Sequence, residues 1–169
     1  NTVTQAQIVD QMVRMRDANV PLDEALEKIN KVIDSARIFF TVGSLDYLQM
    51  GGRIGKVAAA ASKIDVKPVI IMKDGDISLG GIGRNRNKLK KKVLTAANKY
   101  LSENNKDDFV VSVGYGYDAS EGVSFMGDVE EVLDVKLQSS TNVAIGIITG
   151  THTGPHAIGI GVVKKYETV

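Results

Sequence analysis

The chain is 169 residues long, enough for one domain with a sizeable core, and residues 1–169 are expected to form a single domain. Its 43% hydrophobic and 24% charged content is that of an ordinary soluble globular protein. A net charge of +1 gives no global pull toward nucleic acid. The lack of cysteine excludes disulfides, thiol catalysis and cysteine–zinc sites, which fits a cytoplasmic protein.

From Thr2 to Arg16 the chain is polar and helical in pattern, so no signal peptide is predicted. The first residue is Asn rather than Met, which leaves room for an upstream portion. Thr4 followed by Gln7 has the form of a capping box, with Ile8, Met12 and Met15 at helical spacing behind it. Pro21 opens a second helix whose apolar face is read as Leu22, Leu26, Ile29 and Ile33. RIFFTV, Arg37 to Val42, is an apolar run of strand length. Ser44 can cap a short helix carrying Leu45 and Leu48, ended by Gly51-Gly52. The alanine-rich Lys56 to Ile64 is predicted helical.

Asp74-Gly75 between two apolar runs is a strong hairpin signal. A basic helix is predicted over Arg86 to Leu101, with Leu89, Val93, Ala96, Ala97 and Tyr100 facing inward. Phe109 to Val113 reads as strand, Glu121 to Val132 as helix, and Asn142 to Thr149 and Ala157 to Val163 as the last two strands. The order predicts an α/β (α+β) fold, a mixed sheet with helices packed on its faces. Leu137 to Val163 carries no charged side chain and is long enough to cross a bilayer. Its centre, TGTHTGPH, fits two buried strands joined by a polar turn, so no stable membrane insertion is expected. Arg84 to Lys92 holds six cationic side chains and no acid, whereas Glu103 to Asp134 is mostly acidic; the asymmetry marks either a partner surface or a solvated helix face.

Both histidines, His152 and His156, fall in ITGTHTGPHAIGIG. No G-x-S-x-G elbow accompanies them. Two histidines on a Gly-Pro turn, with no acid nearer downstream than Glu167, do not make up the three or four ligands that zinc requires, so no metal and no cofactor are expected. A buried carboxylate would find suitable donors in an imidazole N–H, threonine hydroxyls and turn amides over Thr151 to Gly154. Were the strand to continue, Thr149, Thr151 and Thr153 would alternate with His152 and face away from it. GGRIG precedes a helix, so its amides could cradle an anion beside Arg53, or Arg53 could pair with Asp46.

LDYLQMGGRIGKVAAA, then VKPVIIMKDGDI, a basic helix and THTGPHAIGIG together resemble the C-terminal part of the DegV family of bacterial fatty-acid-binding proteins. The four motifs occur in the family's order, and the opening helices with their DEAL segment are similar too. Family members carry an N-terminal α/β domain whose Ser/Thr loops hold the fatty-acid carboxylate. None of it is in this chain, which the resemblance therefore makes a fragment or a truncated relative.

The resemblance implies a carrier rather than an enzyme: a long-chain fatty acid lies in an apolar tunnel, and a separate fatty-acid kinase phosphorylates the presented carboxylate to an acyl phosphate. It places His152, with Thr153 and Gly154 of the same turn, and Arg53 of GGRIG at the ligand, and Arg84 and Arg86 at the kinase-facing surface. His156 stands where a glycine usually follows the proline, and is not assigned a role. Two rivals remain: a small carbonyl substrate held at a histidine, as in the related fold of dihydroxyacetone kinases, and an interaction domain without a ligand.

Overall fold

The structure, a computed structural model, describes residues 2–57, 66–137 and 141–169. Helix α1 spans Thr2–Asp17 and α2 spans Leu22–Ser35. Strand β1 is Arg37–Thr41, α3 is Asp46–Met50, β2 is Lys67–Lys73 and β3 is Asp76–Gly83. Helix α4 covers Arg86–Glu103, β4 Phe109–Tyr115, α5 Ala119–Leu133, β5 Asn142–Ala144, α6 Ile147–Thr153 and β6 Ile158–Lys164. The expected helix over Lys56 to Ile64 falls largely outside the described residues; Gly55–Val57 forms one 3-10 turn.

The strands make one mixed sheet in the order β3-β2-β1-β6-β4-β5, antiparallel throughout except for the parallel pair β4 and β5. Helices cover both faces. On one, α4 and α5 bring Leu89, Val93, Phe125 and Val129 onto Phe39, Val113 and Ile160. On the other, α1 and α2 bring Met15, Ala25, Ile29 and Val32 onto Val163. From Ile158 to Val163, strand β6 is therefore apolar and buried without interruption, as a strand covered on both sides must be. No described helix is long and apolar enough to cross a membrane.

Local chemistry explains several elements. Asp74 and Gly75 both take positive φ (53° and 79°), the backbone of a type I′ hairpin turn, and they join β2 to β3 as predicted. Asn85 caps α4 by accepting from the Lys88 amide at 3.1 Å. In α4, Leu89, Val93 and Ala97 are buried, while Ala96 and Tyr100 pack against the same core half-buried.

Three expectations are corrected. Helix α1 is already running at Thr2, so Thr4 is not its N-cap; its side chain is buried within the first turns. On α2 the buried face is Ala25, Ile29 and Val32, whereas Leu22, Leu26 and Ile33 are exposed. The expected strand from Asn142 to Thr149 ends at Ala144, and Ile147–Thr153 is helical, with Ile147 and Ile148 more than four-fifths exposed (87% and 84%).

Candidate functional site

One face of β1, β2 and β3 is left open by α1 and α2, which sit over β6 and β4. A cleft of about 520 Å³ lies on it, within the range of small-molecule sites. Its floor is Phe40 of β1, Met72 of β2 and Ile77 of β3, side chains that share this face through the cross-strand pairing Met72–Ile77. One wall is α6, through Ile148, Thr149, His152 and Thr153; the other is α3, through Leu48, and the segment after it, through Gly52, Arg53 and Gly55. The hairpin residues Gly75 and Asp76 complete the rim.

The short helix α3 is set up locally. The Ser44 hydroxyl accepts from the Asp46 amide (3.1 Å) and donates to the Asp46 carboxylate (2.6 Å). That engages Asp46, and no ion pair to Arg53 forms among the described residues. Gly52, at φ 68°, lets the chain leave the helix in a left-handed turn. Arg53 is exposed at the cleft, its guanidinium donating to the Gly51 carbonyl.

His152 is half-buried, its Nδ1 turned in against Gly51 with no hydrogen-bond partner. A buried unpaired N–H is costlier than a buried unpaired lone pair. The neutral ring is therefore best carried with its proton on Nε2, where it can donate into the cleft. The helical backbone also overturns the alternation expected around it. Thr149 and Thr153, four residues apart, line the cleft with His152, while Thr151 is exposed and donates to the Ile148 carbonyl.

The candidate residues separate into groups. His152, Thr153 and Arg53 meet at the cleft. The Thr153 hydroxyl hydrogen goes to the Thr149 carbonyl (3.1 Å), which leaves its oxygen as an acceptor. Gly154 lies on the other side of α6, its amide donating to the Gly150 carbonyl (2.8 Å); at φ 74° it closes the helix and leaves room for the Tyr47 ring. Arg84 follows Gly83, at the end of the hairpin opposite the Asp74-Gly75 turn, and is exposed. Arg86 forms a two-pronged ion pair with Glu121 (2.7 and 2.5 Å), which holds the Glu121 carboxyl below its ordinary range. His156 is exposed, packed over Gly43 and edge-on to Tyr117. Beside it, the Ser120 hydroxyl and the Glu121 amide hold the Asp118 carboxyl low.

Sequence reasoning missed Phe40, Met72, Ile77, Thr149 and Gly51. The i,i+4 threonines were visible as a spacing, but only on a helix does that spacing put both on one face. Among the described residues no three His, Asp or Glu side chains converge to hold a metal.

An α/β domain with an open, largely apolar cleft and an imidazole and a guanidinium at its mouth is thus the class that fold and site define. A model of the DegV family matches residues 1–165, and the chain belongs to that family. A DegV domain-containing protein of Clostridium acetobutylicum is 28% identical over 160 residues, which are 94% of this chain and 56% of the relative. One from Listeria monocytogenes is 30% identical over 145 residues, 85% of this chain and 50% of the relative. The chain thus spans about half the length of these relatives. Among solved structures, a stearic acid-binding protein from Eubacterium ventriosum is 67% identical, with a TM-score of 0.96 over 100% of this chain and 58% of its own. A fatty-acid-binding DegV family protein from Thermus thermophilus shares the fold (TM-score 0.77, 21% identity, 94% of this chain and 56% of its own).

Proposed function

We propose that this chain forms the acyl-binding part of a fatty-acid carrier and helps to present the carboxylate to a fatty-acid kinase, without chemistry of its own. The observation that carries the reading is the cleft itself. Its floor is apolar, and at one edge stand His152, whose Nε2 is left for the cleft, and Arg53, which among the described residues forms no ion pair and donates to the Gly51 carbonyl. That pattern suits an amphiphile with one anionic end. The 67% identical relative described as stearic acid-binding supports the same ligand class.

Within this reading Nε2–H of His152 and the Arg53 guanidinium serve the carboxylate, and Met72, Ile77 and Phe40 lie under the acyl chain. Arg84, exposed and away from the cleft rim, belongs to the partner surface. Mass spectrometry of material extracted from the protein as the cell makes it, rather than from these 169 residues alone, which should bind weakly or not at all, tests the reading directly. A long-chain fatty acid at near-stoichiometric amount is the expected result. A covalent adduct of a small carbonyl compound on His152, or no ligand after incubation with fatty acid, would overturn it.

A further inference from the structure

The apolar space does not stop at Phe40. Phe40, Thr149 and Thr153 line both the cleft and a second, far smaller slot of about 30 Å³ between the first turn of α1 and the sheet. Its inner walls are Val3, Ile145 and two glycines, Gly114 and Gly159, that face each other across β4 and β6. The missing side chains set its depth. A Cβ on Gly114 would stand 2.6 Å from Cγ1 of Val3, and one on Gly161 would stand 2.7 Å from Cγ2. Val3 is thus buried directly on a bare strip of backbone and closes the inner end.

We propose that this slot receives the methyl end of the acyl chain and that Val3, seated on Gly114 and Gly161, sets the longest chain the protein holds well. The inference rests on the fatty-acid reading and deepens it. With the carboxylate fixed at His152 and Arg53, chain length is measured between two fixed points. A water-sized occupant needs roughly 10–15 Å³, so the slot takes about two or three carbons. A longer chain must displace Val3; a shorter one leaves an apolar void with contacts unmade on one side. Each methylene that fits contributes about fourfold in affinity, the equivalent of ~0.8 kcal/mol.

The test is a displacement titration with straight-chain saturated fatty acids one carbon apart, from lauric to arachidic acid, on the protein as the cell makes it. Val3→Ala removes the stop, and the optimum should rise by about one or two carbons. Adding Gly114→Ala refills the space with a methyl that no longer meets Cγ1, and the optimum should return toward that of the unaltered protein. Melting curves show that each variant is folded. If Val3→Ala fails to fold, Val3→Ile reads the same gauge in the other direction, with the optimum falling by about one carbon. An optimum that stays put in folded variants overturns the gauge and leaves the fatty-acid reading intact. If the unaltered protein binds no member of the series, that reading falls and the gauge with it.

Discussion

Nδ1 of His152 rests against the α-carbon of Gly51 so closely that any Cβ there would fall far inside van der Waals contact with the ring. The seat of the imidazole is therefore built by a residue of the loop after α3. Gly51→Ala should push the ring out and weaken fatty-acid retention about as much as His152→Ala does. The double variant should be no worse than His152→Ala alone, since both changes act on one contact. Lipid-exchange titration of the three proteins checks this; additive losses would show that Gly51 acts by another route.

His152 and His156 should differ sharply. A hydrogen bond to a charged group contributes roughly 1.5–3 kcal/mol, tenfold or more in affinity. His152→Ala should weaken fatty-acid retention by about that factor and strongly lower acyl phosphorylation by the kinase. His156→Ala loses packing over Gly43 and a ring contact with Tyr117, and should change both by less than about twofold, as at other surface sites. The same titration decides: the larger loss in His156→Ala would reverse the assignment.

The two arginines named for the partner surface should separate as well. Arg84 is exposed, so Arg84→Ala should leave the melting temperature and lipid content unchanged while slowing acyl-phosphate formation, most of all at low salt. Arg86 is tied to Glu121, so Arg86→Ala should lower the melting temperature itself. A kinase assay at two salt concentrations, beside a melting curve, distinguishes them. Unchanged turnover in Arg84→Ala removes Arg84 from the partner surface.

The Arg86–Glu121 pair also gives a pH signature. The hydrogen bonds from Arg86 lower the Glu121 pKa in the folded chain. The stability they contribute is full above the ordinary glutamate range and is lost as pH falls through the lowered folded value. For a pair whose side chains are 30% and 21% exposed the contribution is about 1 kcal/mol. Arg86→Met should therefore melt lower than the unaltered protein at neutral pH, with the gap closing as pH falls below the ordinary glutamate range. Asp118 and Asp134 are lowered too, by Ser120 and Lys106, and keep their own share of the acid slope in both proteins. A gap independent of pH would mean that Arg86 stabilises through packing of its stem alone.

Some of this molecule is written in short stretches of sequence. Asp74-Gly75 makes its turn because those two residues tolerate positive φ. The basic helix forms because Leu89, Val93 and Ala97 recur on one stripe, and Asn85 can accept from the first free amides. These are properties of neighbouring residues, and they need no knowledge of the rest of the fold. The family motifs were legible for the same reason, as contiguous strings.

What tertiary structure decided are the matters of phase and of distance. Helix α2 carries apolar residues on more than one stripe, and only the placement of α1 and β6 selects Ala25, Ile29 and Val32 over Leu22, Leu26 and Ile33. The apolar run at Ile145 to Ile148 satisfies strand and helix alike by composition. The chain leaves the sheet after Ala144, and the helix that follows turns Thr149, His152 and Thr153 to one side. The contact between His152 and Gly51, and the bare backbone under Val3, join residues far apart in the chain. No local pattern encodes them, because each exists only where two separately folded surfaces meet and one lacks a side chain.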